Sequence, residues 1–363
     1  VANSENKKLP ADLDYASVEE VYDLLKSSYD GKLDAKTLLD GLKSGLAKAA
    51  GDPYTQYFNP KDAKAFNEEL TGSFTGIGAQ LGQNDAGSIQ IVSPIDGFPA
   101  SKAGLRPQDI IVSINGQSTN DMTIDEAVNK IRGPKGTQVT LRILRDRSQD
   151  LSFTITRDEI HIPSVKWEMA DGDVGYIQVS QFGEDTVSLM YDGANQLKKQ
   201  GAKSIILDLR GNPGGLLTGA VDMASMWLPK GKTILQEKRG GVVVDTFTSS
   251  TVGNDPVFKD MPTVVLVNAG SASASEIVAG ALRDNNVATI IGEKSYGKGS
   301  VQEIRDLPSG AQVKITVARW YRPNGENIDK KGISPDKEVK LSDEDYKQNK
   351  DPQKDAALEF LHR

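Results

Sequence analysis

The chain has 363 residues, 37% of them hydrophobic and 26% charged, with a net charge of −7 and no cysteine. That length suggests roughly two or three domains, and no run approaches the ~18 consecutive apolar residues of a membrane helix. The negative balance argues against a nucleic-acid footprint, and the missing cysteines exclude thiol catalysis, disulfides and cysteine-based zinc sites.

The start, Val1 to Pro10, is polar and lacks an initiator Met, which leaves room for an upstream export segment. Residues 17–50 read as helices: Val18, Val21, Leu24 and Leu25, then Leu38, Leu39, Leu42 and Leu46, fall at helical spacing. They suit either a small helical subdomain packed on its neighbour or a dimerisation arm.

Residues 74–158 change character. Short β-like runs (Ile77–Leu81, Ser88–Val92, Ile110–Ile114, Gln138–Leu144) are punctuated by turns at Asn115-Gly116 and Gly133-Pro134. One helix, Ile124 to Ile131, interrupts them. Such a stretch is enough for one small domain. Arg132 and Lys135 follow the helix, as solvated turn residues or as a coupling point to the next domain.

Residues 161–340 alternate strands and helices. Val174–Val179, Ser204–Leu209, Val264–Val267 and Ala288–Ile291 read as strands, Asp185–Gln200 and Ser275–Asp284 as helices. This alternation argues for an α/β layer with parallel strands. In such sheets sites collect in the loops after strand C-termini.

Three loops could carry chemistry. After Val267, the small residues Asn268 to Ser275 lie at a strand-to-helix junction, where a serine has an exposed hydroxyl near the positive end of a helix. Ser275 before Glu276 would equally serve as a helix cap. After Leu209, Arg210-Gly211-Asn212-Pro213-Gly214-Gly215 could form a nest of amides for an oxyanion, or simply a tight turn. After Ile291, Gly292 to Lys298 has P-loop spacing. A nucleotide site there fails because Gly299 stands where the Mg²⁺-ligating hydroxyl belongs, and Ser300–Arg305 alternates like a strand instead of opening a helix.

Lys298 therefore needs another explanation. A lysine acting as base near neutral pH must titrate at roughly 7–8 rather than near 10.4, about 4 kcal/mol against the ammonium. Burial among apolar strands would do this; a solvated surface position would not. Gln302, four residues on, would share a strand face with Lys298 and could hold the amine in place. Only His161 and His362 could serve a histidine triad or histidine metal site; His161 sits beside Pro163 in a segment that reads as a domain junction, and His362 is next to last in the chain. No metal, cofactor or nucleotide is expected.

Asn268–Asp284 (NAGSASASEIVAGALRD) followed by Gly292–Gln302 (GEKSYGKGSVQ) resembles the signature of the C-terminal processing peptidases. Gly51–Phe58, Gly72–Ala79, Ser93–Leu105, the later Asp-Ile-Ile-Val-Ser-Ile-Asn-Gly and Ile-Arg-Gly-Pro-Lys-Gly-Thr runs, and Leu-Asp-Leu-Arg-Gly-Asn-Pro-Gly-Gly follow in that family's order. The family separates its serine and lysine by 25 positions, which from Lys298 gives Ser273, with Ser271 and Ser275 as bystanders.

The resemblance implies a multidomain α/β and α+β chain. Residues 1–70 would be an N-terminal helical arm, 71–160 a PDZ domain (a β-sandwich or barrel with a helix), 161–345 an α/β Ser-Lys peptidase core and 346–363 a C-terminal helical tail. It implies Ser273 as nucleophile, Lys298 as base and Gln302 as assistant. Ala274, with Gly214 or Gly215, would form the oxyanion hole. Gly76-Ile77-Gly78-Ala79 would bind the terminal carboxylate of a protein or peptide substrate, and Arg132 would be a regulatory candidate. A homodimer and an extracytoplasmic setting, in some relatives the intermembrane space of sporulation, are implied as well. The other reading is a PDZ scaffold that binds C-termini without cutting.

Overall fold

The computed structural model describes residues 14–84, 86–250, 256–348 and 350–362. The polar start Val1–Pro10 lies outside them. The first elements are α1 (Tyr15–Ser28), α2 (Ala35–Ala49), a short strand β1 (Gln56–Phe58) and α3 (Pro60–Thr71). Asp14 caps α1 through the amides of Ala16 and Ser17, and Asp34 caps α2 through Thr37. Neither α1 nor α2 contains a buried residue.

The region expected from sequence to be a PDZ domain comprises β2 (Ser73–Gly76), β3 (Ala79–Gln83), β4 (Ile89–Pro94), α4 (Pro99–Lys102), β5 (Ile110–Ile114), β6 (Gln117–Ser118), α5 (Ile124–Ile131), β7 (Gln138–Arg145), β8 (Gln149–Thr156) and β9 (Asp158–His161). Its main sheet runs β3-β4-β5-β7-β8, so β3 is an edge strand. Alternation places Ile89 with Ile91 and Leu141 with Ile143, and a register shift in β5 brings both Ile111 and Ile114 to the same side, in one core with Ala127 and Ile131 of α5. Thr123 and Glu126 close a capping box at the start of α5.

The core follows with β10 (Val165–Met169), β11 (Val174–Val179), α6 (Thr186–Lys199), β12 (Ser204–Asp208), α7 (Leu217–Ser225), β13 (Thr233–Arg239), β14 (Val242–Thr248), β15 (Thr263–Val267), α8 (Ala274–Asp284) and β16 (Thr289–Gly292). Then come β17 (Ser300–Asp306), β18 (Gln312–Tyr321), β19 (Lys337–Glu338), α9 (Asp343–Lys347) and α10 (Pro352–Leu361). The sheet order is β10-β11-β12-β15-β16-β19, parallel except at β10. Every residue of β12 and β15 is buried, as expected for parallel strands covered on both faces.

The pleat sorts those residues. Ile205, Leu207, Val265 and Val267 face a core with Met190, Met223 and Val278 of α6, α7 and α8. Ile206, Val264 and Leu266 face the other side, where Ala356 and Ala357 of α10 close the layer. The core is thus a sheet between two helical layers. Its β12 and β15 both end at glycine-bearing loops on one side of the sheet.

Two compact units result. One joins the chain up to Ala63 with Gln302–Thr316; the other holds Lys64–Val301 and Val317–Arg363, including the PDZ region and the sheet. In the first unit β1 pairs antiparallel with the start of β18, Gln56 opposite Lys314. The hairpin β13–β14 and helix α7 belong to the second unit and have no counterpart in the sequence reading. β14 (VVVDTFT) is mostly exposed on both faces, so burial gives it no period to detect.

Candidate active site

Ser273 sits between β15 and α8 as the N-cap of the helix, with φ 54 and ψ −115. A side-chain-bearing residue held there stores about 1–3 kcal/mol of strain, a cost met by over-determined surroundings. Here the surroundings are hydrogen bonds. Ser271 Oγ donates to the Leu209 carbonyl at 2.7 Å, and Ser275 Oγ to the Asn212 carbonyl at 2.9 Å. The Ala272 amide donates to Asn212 O at 3.0 Å. Both bystander serines are therefore structural, tying the loop after β15 to the loop after β12. Ser275, read from sequence as a possible cap, lies inside the helix.

Glu276 joins a third loop to these two. It is 1% exposed. Its Oε1 accepts Ser295 Oγ at 2.5 Å and the Gly297 amide at 2.7 Å; its Oε2 accepts the amides of Ser273 and Lys298, both at 2.9 Å. The backbones of Ser273 and Lys298 thus meet on one carboxylate oxygen. Lys298 O in turn accepts Trp320 Nε1 at 2.9 Å. Sequence reasoning takes Glu276 only as part of a helix start; its place three residues after Ser273, the spacing of a capping box, is the signal that could have found it.

Burial pushes the Glu276 carboxyl above its ordinary value, while the Ser295 hydroxyl and the three amides pull it back. A raised folded-state value means the folded chain keeps a proton that the unfolded chain has lost. Stability from this group therefore falls as pH rises from the ordinary value through the raised one. Catalytic competence should run the other way, because a protonated oxygen presents a donor to donors. Glu276→Gln has the same defect at every pH and is expected to lower kcat/KM roughly tenfold to a hundredfold. The variant should also lack the acid limb that Glu276 contributes to the parent's pH–rate profile. Identical acid limbs would count against this role.

The loop after β12 approaches Ser273 closely. A Cβ on Gly214 would lie 2.7 Å from Ser273 Cβ and 3.0 Å from the Ala274 nitrogen. The sequence leaves the second oxyanion donor open between Gly214 and Gly215. The Gly214 amide donates to Asn212 Oδ1 at 2.9 Å and is engaged. Among the described residues the Gly215 N–H donates to no protein group, and Gly215 is exposed. Asn212 itself is fully buried, its Nδ2 donating to Val179 O at 2.9 Å. No local pattern in the sequence points to that hub.

Gln302 belongs to the other compact unit. There its Nε2 donates to Thr316 Oγ1 at 3.3 Å, and the Thr316 hydroxyl donates to Asp52. His161 Nε2 pairs with Asp185 at 3.0 Å, and His362 ends α10; neither belongs to the three loops. Among the described residues no cluster of His, Cys, Asp and Glu could hold a metal ion.

In the PDZ region Gly76-Ile77-Gly78-Ala79 links β2 to the edge strand β3. Gly78 has φ 72 and a side chain there would strike Phe98, so the tight turn requires glycine. The carbonyls of Ile77 and Gly78 accept Ala100 and Ile95 amides at 2.7 and 2.9 Å. Their own amides donate to no backbone carbonyl among the described residues. Arg132 ends α5, pairs with Glu68 of α3 at 3.3 Å and lies over the Phe74 ring at 4.7 Å. It lines a cavity of about 430 Å³ with Ile162, Ser180 and Gln181. Lys135 instead makes exposed ion pairs with Asp158 and Glu159.

Residues 173–339 match the model of peptidase family S41, and residues 90–145 that of a PDZ domain. The chain is 42% identical over 332 residues to the carboxy-terminal processing protease CtpA of Bacillus subtilis, spanning 92% of this chain and 70% of that one. It is 41% identical over 319 residues to a probable CtpA-like serine protease of Staphylococcus aureus, spanning 88% of this chain and 63% of that one. Among solved structures it is similar to a photosystem II D1 C-terminal processing protease. That match has TM-score 0.53 and 28% identity, and covers 90% of this chain and 87% of the other.

Proposed function

The chain belongs to peptidase family S41, is a serine-type protease and carries a PDZ domain, and from this we propose that it cleaves proteins near their C-termini through Ser273 and Lys298. Ser273 Oγ attacks the scissile carbonyl. Lys298 takes its proton and returns it to the leaving amine, with Gln302 as the assisting residue. The amides of Ala274 and Gly215 receive the developing oxyanion, Gly214 being held by Asn212. The PDZ region captures the substrate's C-terminus at Gly76–Ala79, the bound segment adding to the edge of β3.

The observation that carries this reading is the strained Ser273 at a strand-to-helix junction, its amide sharing the Glu276 oxygen with that of Lys298. A fluorophosphonate probe with peptide mapping tests it. The adduct is expected on Ser273 alone; an adduct on another serine, with Ser273 unmodified, would sink the assignment.

We further propose a homodimer held by α1 and α2. Their apolar residues Val18, Val21, Leu25, Leu38, Leu42 and Leu46 line one uncharged groove, and all but the half-buried Leu38 are exposed. Two short helices that bury nothing are marginal alone, and a two-fold contact would cover the face on both copies at once. Light scattering should give a dimer for the parent and a monomer for Leu42→Glu/Leu46→Glu. A monomeric parent at micromolar concentration would exclude it.

A further inference from the structure

Arg210 stands at the start of the Gly211–Gly215 loop, and its guanidinium is largely buried. Nε bonds to both Asp208 oxygens at 3.0 and 3.1 Å, and Nη2 bonds to Asp208 at 2.6 Å. The remaining donors reach the C-terminal helix. Nη1 meets Asp351 Oδ1 at 2.8 Å and Gln353 Oε1 at 2.9 Å, and Nη2 meets Asp351 Oδ2 at 2.8 Å. This is a fork on two carboxylates, the geometry that fixes a guanidinium in place.

Each partner is itself held. Asp208 accepts Tyr176 OH at 2.6 Å. Asp351 caps α10 by accepting the Lys354 amide at 3.0 Å. Gln353 is fully buried and donates from Nε2 to the Val339 carbonyl at 2.7 Å. Burial opposes the charge on Asp351, but Arg210 and the Lys354 amide outweigh it and keep the carboxyl below its ordinary value. Asp351 is therefore ionised at neutral pH.

Arg210 is one residue from Gly211, whose amide donates to Asn268 Oδ1 at 2.8 Å, and two from the Asn212 hub. We infer that Asp351 is a positioning residue: through Arg210 it fixes the arc Gly211–Gly215, so that the C-terminal helix is part of the apparatus that aims the oxyanion donor beside Ser273. The inference rests on the serine-protease reading of Ser273 for its kinetic consequence, and on hydrogen bonds alone for its structural one.

The test compares the full chain with Asp351→Asn and Lys354→Ala. The first variant's carboxamide keeps a cap oxygen for α10 but loses the charged fork. Lys354→Ala removes the 3.0 Å contact to Glu168 and the ammonium 4.0 Å above the Tyr176 ring, loosening the same helix while leaving every Arg210 hydrogen bond in place. Hydrogen exchange of the peptide covering 209–217 should quicken about tenfold in Asp351→Asn and not in Lys354→Ala. With a peptide substrate, Asp351→Asn should lower kcat roughly tenfold while KM stays within about twofold. Unchanged exchange in Asp351→Asn, equal exchange in both variants, or faster exchange with unaltered kcat would each overturn the inference. If Ser273→Ala still cuts, the catalytic assignment fails, while the exchange result still decides whether the helix holds the loop.

Discussion

Ser273→Ala and Lys298→Ala are each expected to leave casein intact under conditions in which the parent chain cuts it, with rates at least ~10³-fold lower. The two residues act on one proton. Without the serine there is no oxygen to attack; without the lysine the hydroxyl keeps its proton and the leaving amine receives none. The double variant should therefore be no slower than either single one, since residues acting as a unit are not additive. Both variants should stay folded, because the bonds of Glu276, Asn212, Ser271 and Ser275 that tie the loops together remain in place. Residual cutting by purified Ser273→Ala would refute the nucleophile. A silent parent calls for a peptide with a free apolar C-terminus: activation would show gating by the PDZ region, and continued silence would favour a binding scaffold.

The second large effect is expected from a single methyl group. Gly214→Ala should reduce kcat/KM by ~10²-fold, the cost of displacing a reacting group by about 1 Å. Gly214 has φ 105, where side chains are strained, and its Cβ would stand 2.7 Å from Ser273 Cβ and 2.9 Å from the Ala272 carbonyl. Neither neighbour is the far end of a flexible chain, so the nucleophile loop must move. Gly211→Ala is the comparison. It shares a positive φ of 69, but its Cβ would meet nothing within 4 Å. Backbone strain of about 1–3 kcal/mol is common to both; displacement of Ser273 is specific to Gly214. Equal activity of the two variants would show that contact with Ser273 is unimportant.

Much of this was legible in the sequence because it depends on short-range signals. The runs SIILDL and VVLV announce strands buried on both faces, and the small residues that follow them announce loops where backbone can approach backbone. The PDZ helix was legible from four apolar positions, Ile124, Ala127, Val128 and Ile131, while its Thr123–Glu126 capping box was not read. What escaped depends on distance in space. Glu276 gathers donors from residues 273, 295, 297 and 298, and no local pattern reveals that partners beyond the next strand return to it. The competition for the Gly214 amide is set by Asn212, whose role appears only once the side chain is seen to fold back. Helix α10 looks from sequence like a tail. Its small residues Ala356 and Ala357 suit the close approach of a helix to the sheet, but the surface they meet is built from strands far upstream.

The unit that joins the chain before Ala63 to Gln302–Thr316 has a consequence for biosynthesis. On the ribosome α1 and α2 emerge early, yet the strands that complete their unit follow about 240 residues later. At ~5–20 residues per second this is a delay of roughly 12–50 s. During that interval Leu24, Leu39, Leu42 and Leu46, all more than half exposed even in the finished fold, have no native partner from their own unit's later segment. The nascent chain thus holds these leucines in water for the whole interval, a surface that a holdase binding exposed apolar side chains would meet before the unit is complete.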